Sequence, residues 1–216
     1  VNINSKFIAP LRKVAILREG SHAIRALKYE ISGIPTKTQS YPVLIDKYMN
    51  RFVAPEPGYI EPQSDYPEFM KHHSGERILI RKTGDKIIAA QSPTSDFALA
   101  HQNVYVCKVN SDSISFHTLL GILNSDFLTQ IYRAGPGGQK GRIHAQLRIA
   151  FLNELPIVVC LNSDDLTEEE NQINHKISRL HGQISKISHD LISNPNQNDL
   201  DELNRAVTEL YKIAES

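Results

Sequence analysis

The hydrophobic positions first follow a strand-like pattern. Two short apolar runs, Ile78–Arg81 and Lys86–Ala90, flank a break that contains Gly84, and Asn103–Val109 is rich in β-branched residues. Apolar runs on either side of a Gly-containing turn are typical of a β-hairpin. Because both runs are apolar on both faces, we predict that this hairpin lies centrally in a sheet.

The period then changes to that of a helix. Residues 116–132 carry apolar side chains at helical spacing and predict one helix, which Ser113 or Ser115 can cap. A glycine-rich segment, residues 135–141, ends it. The apolar positions of this helix are Leu119, Leu120, Leu123, Phe127, Leu128 and Ile131.

Beyond residue 160 the apolar residues recur at alternating spacings of three and four. Such a seam predicts two helices of coiled-coil type, which the turn at 193–198 makes antiparallel. Thr167 with Glu170, and Asp199 with Glu202, predict capping boxes at their starts. The seam consists of Ile173, Ile177, Leu180, Ile184, Ile187 and Leu191, then Leu200, Leu203, Val207, Leu210 and Ala214.

These patterns together predict an α+β fold. We expect a mixed β-sheet body with packed helices over residues 1–160, followed by an antiparallel helical hairpin over residues 161–216. Six prolines between residues 35 and 67 exclude long helices there. The strand-like run Leu155–Val159 closes the body.

Composition adds limits on the class of protein. The chain has 216 residues, of which 40% are hydrophobic and 22% are charged, as in a globular protein. It has no apolar run long enough to span a bilayer and no secretory signal at its start, so we expect a cytoplasmic protein without a membrane partner. Its two cysteines are too few for a disulfide framework or a zinc cluster.

The charge is distributed unevenly. Lys plus Arg and Asp plus Glu both number 24, but residues 1–160 carry 19 basic against 13 acidic residues and residues 161–216 carry 5 against 11. A basic body is compatible with a polyanionic partner. Chance variation in surface charge explains the difference equally well.

Motifs of common enzymes are missing or incomplete. The segment Gly135–Lys140 is not a phosphate-binding P-loop, and neither a dinucleotide-binding GxGxxG nor a GxSxG motif occurs. Asn194-Pro195 lacks the second proline and the aromatic residue of the Asn-Pro-Pro-Tyr motif that amino-methyltransferases use. We therefore predict no catalytic residue and no metal site, with His72-His73 as a solvent-facing pair and Cys107 in the core.

Basic residues gather in two places. The hairpin carries one set, and the glycine-rich segment with its flanks carries the other, where no acidic residue occurs between residues 133 and 148. Arg and Lys neutralise phosphates, and Arg and Gln can also read base edges. An ordinary solvated loop is the alternative. The candidate DNA-binding residues are Arg77, Arg81, Lys82, Lys86, Arg133, Gln139, Lys140, Arg142 and His144.

The same segments resemble a known family. Residues 78–90 are similar to a block of the TaqI-type C-terminal specificity domain, the target-recognition domain of adenine-N6 DNA methyltransferases and of type IIG restriction-modification enzymes. Similar blocks follow in the family's order, and a more diverged one precedes them. These are residues 103–106, 119–125, 132–142 and 155–157, and residues 42–48 upstream.

The resemblance implies a function. It implies a non-catalytic domain that recognises a sequence in double-stranded DNA for a fused or separate methyltransferase or nuclease domain, with S-adenosylmethionine and Mg²⁺ bound by that partner. Under this reading Lys82, Lys86 and Lys140 contact phosphates. Arg81, Gln139 and Arg142 are the candidate base readers. The alternative is a protein-interaction module that docks or dimerises through the C-terminal helical hairpin.

Overall fold

The structure is a computed structural model, and it describes residues 5–21, 32–46, 49–61, 72–135, 146–162, 164 and 166–216. The chain divides into two compact units. The sheet unit comprises Leu17–Lys108 and Gln139–Ile149, and the helical unit comprises Val1–Ile16, Val109–Gly138 and Ala150–Ser216. Each unit is described by itself below.

The main sheet of the sheet unit has four strands in the order β2-β8-β5-β6. Strands β5 and β6 form the predicted hairpin, with Ile78 opposite Gln91 and Ile80 opposite Ala89. Strand β5 also pairs antiparallel with β8 and therefore lies inside the sheet, as its apolar faces predict. Strand β6 is the edge strand, so the central position is confirmed for β5 and is wrong for β6. The strands are β2 (Ala15–Glu19), β5 (Ile78–Arg81), β6 (Ala89–Gln91) and β8 (Val104–Val109).

A second, three-stranded sheet completes this unit. Its order is β4-β3-β7, and β3 pairs antiparallel with β4 and parallel with β7. A core cluster joins buried residues from both sheets and their connections, among them Leu44, Met49, Leu79, Ala90 and Val106. The strands are β3 (Tyr41–Leu44), β4 (Pro57–Ile60) and β7 (Leu99–Ala100).

The helical unit contains a short antiparallel strand pair and most of the helices. Strand β1 (Ile8–Pro10) pairs with β9 (Pro156–Val158), which confirms a strand near the predicted Leu155–Val159. The six helices of the described chain are α1 (Leu11–Val14), α2 (Phe116–Asn124), α3 (Asp126–Ala134), α4 (Ile149–Leu152), α5 (Glu168–Ser193) and α6 (Gln197–Glu215). The mixed composition confirms the α+β class.

The single helix predicted over residues 116–132 is wrong, because the segment forms α2 and α3. Ser115 caps α2 as predicted, with its side chain accepting from the Thr118 N–H. Ser125 then leaves the helical conformation and caps α3 by accepting from the Leu128 N–H. A buried serine that bonds to nearby backbone groups competes with helix continuation, which the apolar spacing alone does not register.

The two long helices form the predicted hairpin. Thr167 and Glu170 make a complete capping box at the start of α5. The second predicted box is wrong: Asn196 caps α6 by accepting from the Asp199 N–H, so the cap lies three residues before the predicted Asp199. The coiled coil itself stays a prediction.

The apolar seam of this hairpin is covered within the helical unit. Ile177, Ile184 and Leu203 are fully buried, and α2 packs against α5. Gly121 in α2 makes the close approach possible, since a Cβ there would lie 2.3 Å from the Ser188 Oγ. The predicted boundary at residue 160 falls inside this unit, and the separate docking role of residues 161–216 stays a prediction.

Candidate nucleic-acid interface

The β5–β6 hairpin carries a six-residue loop, residues 82–87, which we call the hairpin loop. The Arg81 N–H donates to the Ile88 carbonyl at 2.9 Å and closes it. Gly84 has φ +109°, a conformation that favours glycine, and a Cβ there would lie 3.2 Å from the Arg81 Nη2. Lys86 is exposed in this loop, as a phosphate contact requires.

Lys82 is held on several sides. Its Nζ lies 3.2 Å from the Glu19 Oε1 and 5.4 Å from the centre of the Tyr105 ring, and its side chain is 17% exposed. Its N–H donates to the Asn103 carbonyl at 2.8 Å. A phosphate approaching Lys82 would compete with Glu19 for the ammonium group, so this contact is weaker than the sequence suggests.

Arg81 has a mainly structural environment. Its Nε donates to the Thr83 carbonyl at 3.0 Å and its Nη1 donates to the Met49 carbonyl at 3.3 Å. One guanidinium therefore ties the hairpin loop to the segment around Met49. These bonds favour a positioning role for Arg81 over the predicted base reading.

The described residues that follow the glycine-rich segment, Gln146 and Leu147, meet the hairpin loop. Thr83 and Gln146 form an isolated antiparallel bridge, and the Leu147 N–H donates to the Lys82 carbonyl at 2.8 Å. The Tyr105 hydroxyl donates to the Leu147 carbonyl at 2.9 Å, which fixes Leu147 a second time. The fold thus joins two of the segments in which the sequence concentrates basic residues.

Asp46 adds a carboxylate to this region. The Thr83 hydroxyl donates to the Asp46 Oδ2 at 2.9 Å. Sequence reasoning missed this contact and the one between Glu19 and Lys82, which join residues 37 and 63 positions apart. No local pattern signals such pairs, because the folding of distant segments creates them.

Arg77 requires a correction, since it is not a surface residue. It is 0% exposed, its Nη1 donates to the Gly75 carbonyl at 2.7 Å, and its Nη2 donates to the Asp96 carbonyl at 3.1 Å. Burial lowers its pKa to about 10. We therefore leave Arg77 out of the candidate interface.

The expectation of a solvent-facing histidine pair is also wrong. His73 is 1% exposed, and its Nδ1 accepts from the Ala100 N–H at 3.0 Å. Burial, with a smaller contribution from the charge of Arg77, lowers the pKa of His73 to about 4. Cys107 lies fully buried in the core as predicted, and burial raises its pKa to about 12.

The remaining candidates are placed elsewhere or lie outside the described residues. Arg133 is half-buried in the last turn of α3, in the helical unit. Gln139, Lys140, Arg142 and His144 lie outside the described residues.

Within the described ranges, no group of three or more His, Cys, Asp and Glu side chains is arranged to hold a metal ion. No helix in the part of the chain that the structure describes could span a membrane.

The fold and the basic hairpin fit a recognition domain, and the comparison with known families gives its identity. The TaqI-like C-terminal specificity domain matches residues 28–157, more than half of the chain. The chain therefore belongs to this family, and its function is DNA recognition. This confirms the resemblance found in the sequence.

Several solved structures are similar to this chain. The type IIG restriction endonuclease BpuSI matches with 12% identity and a TM-score of 0.50, covering 98% of this chain and 31% of the endonuclease. The HsdS subunit from Thermoanaerobacter tengcongensis matches with 15% identity and a TM-score of 0.43, covering 96% of this chain and 44% of the subunit. The type I S subunit from M. genitalium matches with 13% identity and a TM-score of 0.42, covering 98% and 50%. No curated protein matches the sequence.

This chain spans about a third of the BpuSI endonuclease and about half of the two S subunits. The similarity to BpuSI therefore concerns a fold that occupies part of a larger protein.

Proposed function

We propose that the chain supplies sequence recognition to an adenine-N6 DNA methyltransferase of a restriction-modification system. Methyl transfer and cleavage would belong to a fused or separate partner domain. The observation that supports this most directly is the backbone pairing of Lys82 and Thr83 with Gln146 and Leu147. It places the residues that follow the basic glycine-rich segment against the hairpin loop, so both can contribute to one surface that meets one duplex.

The contacts divide by chemistry. Lys86, on the exposed hairpin loop, is the leading phosphate contact, because an ammonium group neutralises phosphate without reading sequence. Lys82 would also contact a phosphate, after its ammonium group gives up the ion pair with Glu19. Lys140 would contact phosphate, and Gln139 and Arg142 would read bases, as the sequence predicts. Arg81 would position the hairpin loop through its hydrogen bonds to the Thr83 and Met49 carbonyls.

The methyl donor S-adenosylmethionine and any Mg²⁺ would bind the catalytic partner. A recognition domain needs only to hold the duplex while the partner rotates the target base out of the helix. The cytoplasm, where such a partner meets DNA, is the proposed location.

The test is the salt dependence of DNA binding by the full-length protein. Each lost phosphate contact reduces the slope of log K against log salt by about 0.9. We expect a loss of about one unit for Lys86→Ala and of one to two units for Lys140→Ala with Arg142→Ala. Lys212→Ala, on the exposed face of α6, removes the same charge from the helical unit and serves as the control. Lys212→Ala should keep the wild-type slope. If Lys86→Ala and the Lys140→Ala, Arg142→Ala double variant keep it as well, the proposed surface is wrong.

Docking through the helical hairpin receives no comparable support. That reading needs an apolar stripe left exposed on α5 or α6. The seam residues Ile177, Leu180, Ile184, Leu203 and Leu210 are at most 2% exposed within the helical unit. Their burial accounts for the heptad spacing without a partner protein.

A further inference from the structure

A tight turn lies on the flank of the β5–β6 hairpin. The Asn50 N–H donates to the Val53 carbonyl, and the Val53 N–H donates to the Asn50 carbonyl, both at 3.1 Å. Arg51 and Phe52 form the two-residue tip of this turn. The turn thus presents an arginine that the sequence patterns did not single out.

The backbone of this turn is strained. Phe52 has φ +64° and is the only non-glycine residue with positive φ among those the structure describes. Glycine or asparagine usually occupies such a position, because a bulky side chain there crowds the backbone. Strain of this kind persists only where the surroundings enforce it, and it concentrates at functional sites.

The surroundings hold the turn on both sides. The Phe52 side chain is 2% exposed, and its N–H donates to the Ala89 carbonyl of β6 at 2.9 Å. Met49 before the turn lies in the core cluster, and Ala54 after it packs against the same cluster. With both ends and one tip residue fixed inside, Arg51 is the tip residue left at the surface, where it is half-buried.

The turn is also tied to the proposed DNA surface. Arg81 donates to the Met49 carbonyl, immediately before the turn, and to the Thr83 carbonyl in the hairpin loop. The turn and the loop therefore keep a fixed spacing. Val53, in the same turn, is 39% exposed and is one of three large hydrophobic side chains that remain exposed among the described residues. An arginine beside an exposed apolar group suits base edges, where guanine acceptors and thymine methyl groups occur together.

We propose that Arg51 is a specificity-determining residue that reads a guanine in the major groove. This inference rests on the proposed DNA-recognition function and extends it to a residue outside the basic clusters. Arginine donates two parallel hydrogen bonds to the O6 and N7 of guanine, which requires a fixed side-chain origin. The strained, core-anchored turn provides that fixed origin, and the flexible stem of a lysine on an open loop would not.

The experiment selects duplexes from a library with a randomised central segment, using the full-length protein, and compares the enriched motif between variants. For Arg51→Ala we expect the preference for guanine at one position to fall by roughly 5- to 150-fold, the range of one bidentate base contact. Arg51→Lys keeps the charge but loses the fork, so it should lose the same preference. Arg12→Ala removes an exposed arginine from the helical unit and should leave the motif unchanged.

Affinity for a scrambled duplex separates the outcomes. A lost guanine preference in both Arg51 variants, with scrambled-duplex binding no weaker in Arg51→Lys than in wild type, supports the inference. An unchanged motif in Arg51→Ala overturns it and leaves the DNA-recognition function standing. A uniform loss of affinity with the motif intact also overturns it, since Arg51 then contacts only phosphate. If the wild-type protein enriches no motif, the proposed function itself fails.

Discussion

The Arg81 guanidinium donates to the carbonyl of Met49, a residue 32 positions earlier in the chain, at 3.3 Å. Its Nε donates at the same time to the Thr83 carbonyl, two residues later. The arginine thus acts as a brace between the Asn50–Val53 turn and the hairpin loop. Its charge remains near the proposed interface, but its hydrogen bonds serve the fold.

Replacing Arg81 by lysine tests the brace. A lysine ammonium keeps the charge but cannot make both bonds in the planar geometry of a guanidinium. Losing one or two hydrogen bonds to carbonyls should lower the free energy of unfolding by about 1–2 kcal/mol. Hydrogen exchange at Met49, Thr83 and Gly84 should accelerate, while amides of α5 and α6 stay protected. Equal protection in Arg81→Lys and wild type would show that the brace is dispensable.

The carboxylate of Asp46 is both a hydrogen-bond acceptor and a negative charge, and substitutions can separate the two roles. Asp46→Asn retains a side-chain oxygen for the Thr83 hydroxyl and removes the negative charge. Nonspecific DNA binding at low salt should strengthen several-fold, since a negative charge near a polyanion is repelled.

Thr83→Val is the matched control for that variant. It removes the hydroxyl bond to Asp46 and keeps the negative charge. We expect a loss of about 1 kcal/mol in unfolding free energy and no gain in DNA affinity. A gain in affinity from Thr83→Val instead would mean that the bond, and not the charge, controls binding.

The outcome for the basic residues shows what a single sequence can predict. The hairpin and the internal position of β5 follow from apolar runs that are local, and the structure confirms them, whereas β6 lies at the sheet edge. The hydrogen bonds that occupy Arg77, Arg81 and Lys82 do not follow from the sequence. Their partners Asp96, Met49 and Glu19 are 19 to 63 positions away. From the sequence alone, an arginine beside an apolar strand can be either a surface charge or a buried structural residue, and only its distant partners decide which.

Local competition explains the other errors. The apolar spacing continues through Ser125, yet its hydroxyl donates to the Ile122 carbonyl and accepts from the Leu128 N–H, so one helix becomes two. At the start of α6, Asn196 caps the helix ahead of Asp199. The spacing of apolar residues predicts which helix faces are apolar. It does not predict which polar side chain caps the free backbone N–H groups, and therefore where a helix begins.

Two buried histidines predict an acid-sensitive fold. Burial lowers the pKa of both His73 and His181 to about 4, below the value of 6.5 that an unfolded chain has. Between these values the unfolded state binds more protons, so the stability present above pH 6.5 is lost as the pH falls towards 4. Each histidine should contribute on the order of 1–3 kcal/mol to this loss.

Urea unfolding at pH 7 and pH 5 measures the effect. His73→Gln should weaken the pH dependence of the sheet unit, and His181→Gln that of the helical unit. His175→Gln, at an exposed position of α5, is the control and should leave both unchanged. Identical pH dependence in wild type and both buried-site variants would contradict the assignment.

Gly121 sets the distance between α2 and α5, and its replacement by alanine tests this close approach. A Cβ at this position would lie 2.3 Å from the Ser188 Oγ and 2.7 Å from the Ile184 Cγ2. Gly121→Ala should therefore force the helices apart and cost about 1–3 kcal/mol, in spite of the better helix propensity of alanine.

The chain contains its own control for this substitution. Gly182 lies in the middle of α5, and nothing lies within 4 Å of a Cβ there. Gly182→Ala should stabilise the protein by roughly 0.5–1 kcal/mol, because only the helix propensity changes. Opposite signs for the two substitutions in one chemical-denaturation series would establish that the close approach, and not glycine flexibility, is what Gly121 provides.

The Ser188 side chain allows a further test of the same contact. Its Oγ is buried without a hydrogen-bond partner, so Ser188→Ala alone should cost little. Combined with Gly121→Ala, it removes the atom nearest to the new methyl group and should recover part of the lost stability. Recovery should stay incomplete because Ile184 still obstructs the methyl group. Full additivity of the two single effects would mean that Gly121 and Ser188 do not touch.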